Sequence, residues 1–304
     1  MGRRYAFDTS PMPLQTIARP MLNDAAPDGL VRDWDFRPGR SSPRLQLRRW
    51  RERLSREAAP MTQLLKVPQH DGSWVLYFLF SPDGQLAPAH HYTLNRLADL
   101  QRRVLIVCAT PDPLQVPREL LERCDALAWK ALPGFDFSAY AVGLWALARH
   151  VRVSDVLVMN DSVFGPLVDM APWLDCMTWD LSGFTATSNV ENHVQSYAFL
   201  LHDPDVARLS ALSSVLSLRW SYDRFWGVVL NQETKLARVA SRSMSVGALL
   251  YADTAAIEDP TLQLALPLAR AGFPFLKRSF LGKLAHLAPR EDVLAILEEA
   301  RHPI

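Results

Sequence analysis

From residue 73 onward the chain alternates short, almost wholly apolar runs with stretches in which apolar residues recur every three or four positions. The runs SWVLYFLF (73–80), RVLIVCAT (103–110), DALAWK (125–130) and the segment 156–160 are too short for typical helices. They also lack the polar alternate positions of a half-exposed strand, so they predict strands covered on both faces. Between them HHYTLNRLADLQ (90–101), VPRELLERC (116–124) and FDFSAYAVGLWALARHV (135–151) predict helices. Strand and helix in regular alternation imply right-handed crossovers and a mostly parallel sheet.

After Pro166 the pattern becomes mixed. Residues 179–187 and 193–202 predict two strands separated by a polar turn. Residues 203–220 predict a helix opened by Asp and Pro, residues 231–244 predict another, and the last fifty residues two or three short ones. Residues 1–40 carry Pro, Asp, Gly and Arg without periodicity and read as an irregular arm. In the segment 41–57, Leu45, Trp50 and Leu54 recur among six arginines. That pattern fits a solvated or core-docked helix, or a basic amphipathic helix resting on an anionic membrane surface. The expected division is a basic arm and helix over 1–70, an α/β core over 71–252 with a parallel first half and a mixed second half, and a helical extension over 253–304 packed on that core.

Composition adds bounds. With 304 residues and 49% hydrophobic content the chain can bury one large core, and a net charge of +1 gives no reason to expect nucleic acid. Charge is uneven: residues 1–70 hold 13 Lys/Arg against 7 Asp/Glu, a local +6. Cys108, Cys124 and Cys176 are odd in number and lie in or beside apolar segments, which reads as buried thiols in a reducing compartment. The first residues contain an Arg pair without an apolar signal region, and no apolar run approaches the length of a bilayer span. The expected location is the cytoplasm, with peripheral contact at the inner membrane.

The segment VSDVLVMNDSVFGPL (153–167) ends an apolar strand abruptly in Asn160, Asp161 and Ser162. In open α/β sheets ligands bind just beyond the carboxyl ends of such strands. Neither G-x-G-x-x-G nor G-x-x-x-x-G-K-[ST] occurs, so the common glycine-rich phosphate cradles are absent.

Six stretches, YFLFSPDGQL, GFDFSAYAVGL, VLVMNDSVFGPL, SGFTAT, HVQSYAFLL and GFPFLKRSFL, occur in this order between residues 73 and 283. In them the chain resembles the rhamnan synthesis protein F family of bacterial polysaccharide glycosyltransferases. It departs from that pattern at Leu132 and Pro133, before Gly134-Phe135-Asp136, and at Ser182, where the family carries Trp. The resemblance implies a GT-A-like fold and transfer of a sugar, rhamnose or a related deoxysugar, from a nucleotide donor, dTDP-rhamnose favoured. The acceptor implied is a cell-surface polysaccharide or lipid-linked glycan, as in lipopolysaccharide O-antigen, and the transfer inverting. The alternative is a catalytically silent module of the same fold that binds glycan or nucleotide in an assembly complex.

Such a transfer needs a place for diphosphate charge, a base for the acceptor hydroxyl and a shaped floor for the sugar. Asn160, Asp161 and Ser162 offer oxygen donors for ribose, phosphate or a divalent cation, Mg2+ or Mn2+, with Asp161 as the metal ligand; the plainer role for Asp161 and Ser162 is to cap the next helix. Asp136 opens the long helix and is assigned to donor binding. In Gln232-Glu233-Thr234-Lys235-Leu236 the resemblance makes Glu233 the candidate base, with Asp180 and Glu191 in reserve; a surface Glu pairing along a helix is the alternative. Strand alternation would put His193, Gln195 and Tyr197 on one face, for sugar hydroxyls, and Val194, Ser196 and Ala198 on the other. Lys277 and Arg278 could reach a diphosphate as charged donors.

Overall fold

The computed structural model describes residues 27, 29–252 and 257–304; the expected arm therefore lies outside the described residues up to position 26. Among the described residues fourteen strands follow in chain order: β1 (Leu30–Asp35), β2 (Arg56–Ala58), β3 (Thr62–Lys66), β4 (Gly72–Phe80), β5 (Arg103–Ala109), β6 (Ala126–Lys130) and β7 (Val153–Asn160). The second set is β8 (Val163–Phe164), β9 (Leu181–Thr187), β10 (His193–Val194), β11 (Ala198–His202), β12 (Trp220–Tyr222), β13 (Val246–Ala252) and β14 (Leu276–Lys277). One sheet carries the order β1-β13-β9-β11-β7-β4-β5-β6-β3, with β10 beside β9.

The block β7-β4-β5-β6 is parallel throughout, whereas β11 runs antiparallel to both β7 and β9. The parallel first half and mixed second half expected from the sequence are both present. From β4 the chain winds outward through β5 and β6, then returns to the opposite side of β4 as β7. A crevice opens at such a reversal, beyond the carboxyl ends of the two strands.

The continuous apolar runs have a direct cause. Along β4, Trp74, Leu76 and Phe78 enter one core with the helix Phe135–His150, while Val75, Tyr77 and Leu79 enter a second core with the helix Pro88–Ala98. Both faces of each central strand are buried, so alternation disappears from the sequence. The long helix lies close against β4: a Cβ added at Gly143 would stand 1.8 Å from a methyl carbon of Leu76.

Several elements differ from expectation. Residues 30–35, read as part of an irregular arm, form edge strand β1, antiparallel to β13. Trp34 stacks on Tyr251 there, with ring centroids 4.2 Å apart. The expected helix over 116–124 shrinks to Leu120–Arg123, and that over 203–220 to Val206–Ala211. The expected strand over 193–202 is broken, because β10 pairs with Ala186–Thr187 while β11 pairs with Leu181–Gly183 and the two registers differ by two residues. Residues 195–197 take up this difference as a bulge. The expected helix from residue 231 begins earlier, as Phe225–Val228, and passes through a π-turn at Val229–Glu233 before continuing as Thr234–Ala240.

The helix Pro43–Arg53 docks by an arginine. Arg49 is buried and forms an ion pair with Glu191; it also donates to Leu230 O at 2.9 Å and Thr234 Oγ1 at 2.9 Å. The core-docked reading of this segment is therefore correct for its inner face. Removing one partner of a buried pair leaves an uncompensated charge and costs about 3–5 kcal/mol. Arg238, 2.8 Å from Glu191, softens the loss. Arg49→Ala is expected to lower stability by about 3 kcal/mol, seen in urea as a lower unfolding midpoint at unchanged slope.

Candidate active site

Two adjoining cavities open at the switch point. The larger, about 690 Å³, includes Asp136, Ser196, Tyr197, Glu233, Lys277 and Arg278 in its lining. The smaller, about 500 Å³, is bounded by Phe78 and Phe80 of the β4 end, Leu132 and Pro133 after β6, and Asp161 after β7. Phe135, Asp136, Asn160 and Ser162 line both. Volumes of this order suit small-molecule ligands.

Asp161 holds the crevice together. Its N–H donates to Phe78 O at 3.1 Å, and its Oδ2 accepts the N–H of Phe80 at 2.9 Å, tying the ends of β7 and β4. Its carbonyl oxygen accepts from the Arg278 guanidinium at 3.1 Å. The carboxylate also has His90 Nε2 at 3.4 Å and Arg278 at 3.9 Å. Asn160 is committed as well: its Oδ1 accepts from the Ser162 N–H at 3.0 Å and Oγ at 2.6 Å. The fold family implies a divalent cation at this strand end, but the oxygens present do not fit one. Among the described residues no three His, Cys, Asp or Glu side chains cluster as metal ligands. Asp161 is engaged by a backbone donor and a cation, and the other acids of the smaller cavity are committed too, Asp136 to the Phe137 N–H and Asn160, and Asp223 to the Gly134 N–H.

Positive charge comes from the C-terminal segment. β14 pairs with β8, and the Arg278 N–H donates to Ser162 O at 2.9 Å, so Lys277 and Arg278 arrive directly beside Asn160–Ser162. Phe273 and Phe275 anchor the segment: both are buried, and Phe275 meets Phe184 edge-on with centroids 4.9 Å apart. Lys277 Nζ sits 4.5 Å above the Tyr197 ring. Lys283 lines the same cavity.

Asp136 and Glu233 are two of the three acids of the larger cavity, Asp259 being the third. Asp136 enters at the start of the long helix after Gly134 and Phe135, both at positive φ (97° and 50°). Glycine tolerates that conformation; phenylalanine adopts it only when the surroundings impose it. One Asp136 oxygen accepts from Asn160 Nδ2 at 2.9 Å. Burial, reinforced by the charge of Glu233, pushes the Asp136 carboxyl up to about 6. Glu233 lies in the π-turn, a distortion frequent at functional sites, and one oxygen accepts from both the N–H (3.1 Å) and Oγ (2.9 Å) of Ser196.

Other expected residues stand elsewhere. Asp180 lines neither cavity: it accepts from the Ser245 N–H and Oγ, both at 2.8 Å, and pairs with Arg208. Chiefly the Ser245 backbone hydrogen bond holds its carboxyl below the usual range. It ties the start of β9 to the start of β13 and is no base for this cavity. Burial would raise the Glu191 carboxyl, but hydrogen bonding and charge from Arg49, with Ser41 and Arg238, outweigh it and lower the pKa; this residue is a structural anchor. His193 is buried, with Nδ1 2.8 Å from Glu191 O, and lines neither cavity. Gln195 and Tyr197 do converge, both on Thr185 Oγ1, at 2.7 and 2.9 Å. Gln195 reaches the cavity only through Asp259, whose Oδ1 it meets at 2.9 Å. Ser196, expected on the opposite face, lines the cavity because the bulge turns it there.

Sequence reading passed over other contributors. Lys130 ends β6 buried, and its ammonium donates to the carbonyls of Ala131 (2.9 Å) and Pro133 (2.8 Å), propping the loop under the smaller cavity. Burial lowers its pKa to about 8 against the opposing pull of Asp136 and Asp223. A lysine closing an apolar strand was the available signal. Phe80 and Phe135 leave 43% and 41% of their surface open, which puts two aromatic rings at the smaller cavity.

No curated protein matches the chain. Among solved structures it is similar to S. aureus TarS 1-349 in complex with UDP, at 12% identity and a TM-score of 0.35, covering 65% of this chain and 64% of that one. The aligned part is thus less than two thirds of that protein. A second is the mannosyltransferase PcManGT from Pyrobaculum calidifontis in complex with GDP-Man and Mn2+, at 13% identity and a TM-score of 0.34, covering 84% and 82%. The sequence profile of rhamnan synthesis protein F matches residues 104–298, more than half of the 304 residues. That span holds Asp136, Asn160–Ser162, Glu233 and Lys277, and the chain belongs to the rhamnan synthesis protein F family.

Proposed function

We propose that the protein is an inverting glycosyltransferase that moves rhamnose or a related deoxysugar from a nucleoside diphosphate, dTDP favoured, to a cell-surface polysaccharide or lipid-linked glycan. The acceptor is met at the anionic inner face of the membrane. The reading rests on one observation: Asp136 and Glu233 share a cavity with Lys277, Arg278 and Lys283. Family membership supports the polysaccharide and the deoxysugar.

In the proposed step the acceptor oxygen bonds to the anomeric carbon as the bond from that carbon to the diphosphate breaks. Glu233 takes the hydroxyl proton. The leaving diphosphate carries the electron pair, and Lys277, Arg278 and Lys283 meet its charge as ammonium and guanidinium donors. Asp136, fixed by Asn160, receives hydroxyls of the donor sugar or ribose. The Phe80 and Phe135 rings give the nucleobase flat apolar surfaces. No step requires a divalent cation, so chelation with EDTA is expected to leave donor affinity and turnover unchanged.

A thermal-shift panel of nucleotide sugars tests the donor. A ligand at a hundredfold its Kd stabilises by about 2.7 kcal/mol, and a dTDP-deoxysugar is expected to give the largest shift. Glu233→Gln keeps size and polarity but cannot accept the proton; turnover is expected to fall roughly 10²–10⁴-fold with donor affinity retained. Equal loss of donor binding would make Glu233 structural. Donor binding without transfer by the wild type, across a panel of glycan acceptors, would instead favour the silent binding module.

Asp136→Asn separates the second acid. The folded pKa of about 6 lies above the ordinary 3.8, so the folded form holds the proton more tightly. The stability contributed by this group is full at pH values below the ordinary pKa and is lost as pH rises through the folded one. Above that range the buried charge opposes folding, and the amide removes it while keeping an oxygen for Asn160. Asp136→Asn is expected to raise the melting temperature at about pH 7.5, to leave it unchanged near pH 3, and to weaken donor binding throughout.

A further inference from the structure

We infer that the outer face of the helix Pro43–Arg53, with the capping residue Leu54 that follows it, is a docking surface for an anionic lipid bilayer, and that it delivers the larger cavity to the membrane plane. This rests on the reading of a lipid-linked acceptor.

A surface helix ordinarily buries its apolar stripe and exposes its charges. Here the order is inverted. Arg49 points inward to Glu191, with Leu45 and Glu52 half-buried on the same side. Leu47, Trp50 and Leu54, spaced three and four apart and therefore on one face, point outward with 51%, 58% and 71% of their surfaces exposed. Single exposed apolar residues are ordinary, but three aligned on one helical face call for a partner. Exposed Arg44 and Arg51 flank the stripe, and Arg48 and Arg53 extend the positive charge to either side. Against the arginines of residues 43–57 stand only Glu52 and Glu57. Aliphatic side chains and an indole among arginines match the boundary between anionic headgroups and acyl chains, where the apolar groups insert and the guanidinium groups meet phosphate.

The face runs on to the cavity. The Arg48 guanidinium lies 4.1 Å above the Trp226 ring, and Trp226 meets Phe225 edge-on with centroids 5.3 Å apart. Both rings are exposed, and Phe225 lines the larger cavity beside Val228 and Val229. The arginine-rich helix therefore joins the cavity through an unbroken aromatic edge. A lipid-linked glycan held in the bilayer would need only to rise past Phe225 to reach Glu233. Among the described residues no helix is long and apolar enough to cross a membrane, so attachment through this face would be peripheral.

The test is cosedimentation with phosphatidylglycerol/phosphatidylcholine vesicles and with pure phosphatidylcholine, at low and high salt. Two variants are compared with the wild type: Trp50→Glu combined with Leu54→Glu, and Arg44→Gln combined with Arg51→Gln. All four positions are exposed, and equal melting temperatures check that the fold is kept. The full-length protein is expected to bind anionic vesicles and not neutral ones, with binding weakened by salt. Each double variant is expected to lose at least about tenfold in vesicle affinity. Donor affinity and transfer to a short soluble acceptor should stay at wild-type values. Failure of the wild type to bind anionic vesicles at low salt, or undiminished binding by both variants, overturns the proposal. A wild-type dimer that Trp50→Glu/Leu54→Glu converts to monomer, without vesicle binding, would assign the face to a second copy instead. Vesicle binding by a protein that transfers no sugar would leave this surface standing and remove the transferase reading.

Discussion

The crevice depends on the clasp that Asp161 makes across the ends of two parallel strands. Parallel neighbours diverge where the chain leaves the sheet, and at a switch point no crossover covers the gap between them. Asp161 closes its base with its own N–H on Phe78 and its carboxylate on the N–H of Phe80. Its carbonyl oxygen then receives Arg278, drawing the C-terminal segment across. A residue engaged on three sides in this way sets where the cavity walls stand. It is poorly suited to serve also as the free ligand of a cation, which explains why an acid at the expected strand end does not make a metal site.

Local periodicity revealed the central strands and the long helix because their burial is symmetrical. Trp74 to Leu79 feed two cores in alternation, so the run reads as apolar wherever it is sampled. The misread segments are those whose shape is decided by distant partners. β1 is a strand because β13 offers it an edge, and its burial is too slight to leave a pattern. The break between β10 and β11 follows from a two-residue difference in how each meets β9, and nothing within residues 193–202 encodes that difference.

The same division holds for chemistry. Asp136, Asn160 and Lys277 stand at element ends or in a short pattern and Glu233 follows from the family resemblance, and the fold gathers all four around one cavity. Asp180 and Glu191 were attractive as isolated acids, but their partners Arg208 and Arg49 lie 28 and 142 positions away in sequence. Ser196 was assigned the wrong face for want of the bulge, and Lys283 sits in no pattern that would have marked it.

The cavity's charge has a physical logic that follows from where its acids and cations originate. The acids Asp136 and Glu233 are fixed by helices of the main fold, and the strained entry at Gly134–Phe135 holds one of them in a position that burial penalises. The cations arrive on a separate segment, anchored by Phe273 and Phe275, that lies across the strand end. Arg278 faces the Asp161 carboxylate at 3.9 Å. Lys277 instead rests on the Tyr197 ring, and the Glu233 carboxylate on Ser196. Each therefore retains unspent capacity to bond a ligand. Because the groups are already fixed, little reorganisation is needed when charge develops between them, and this preorganisation gives such sites most of their effect on a transition state.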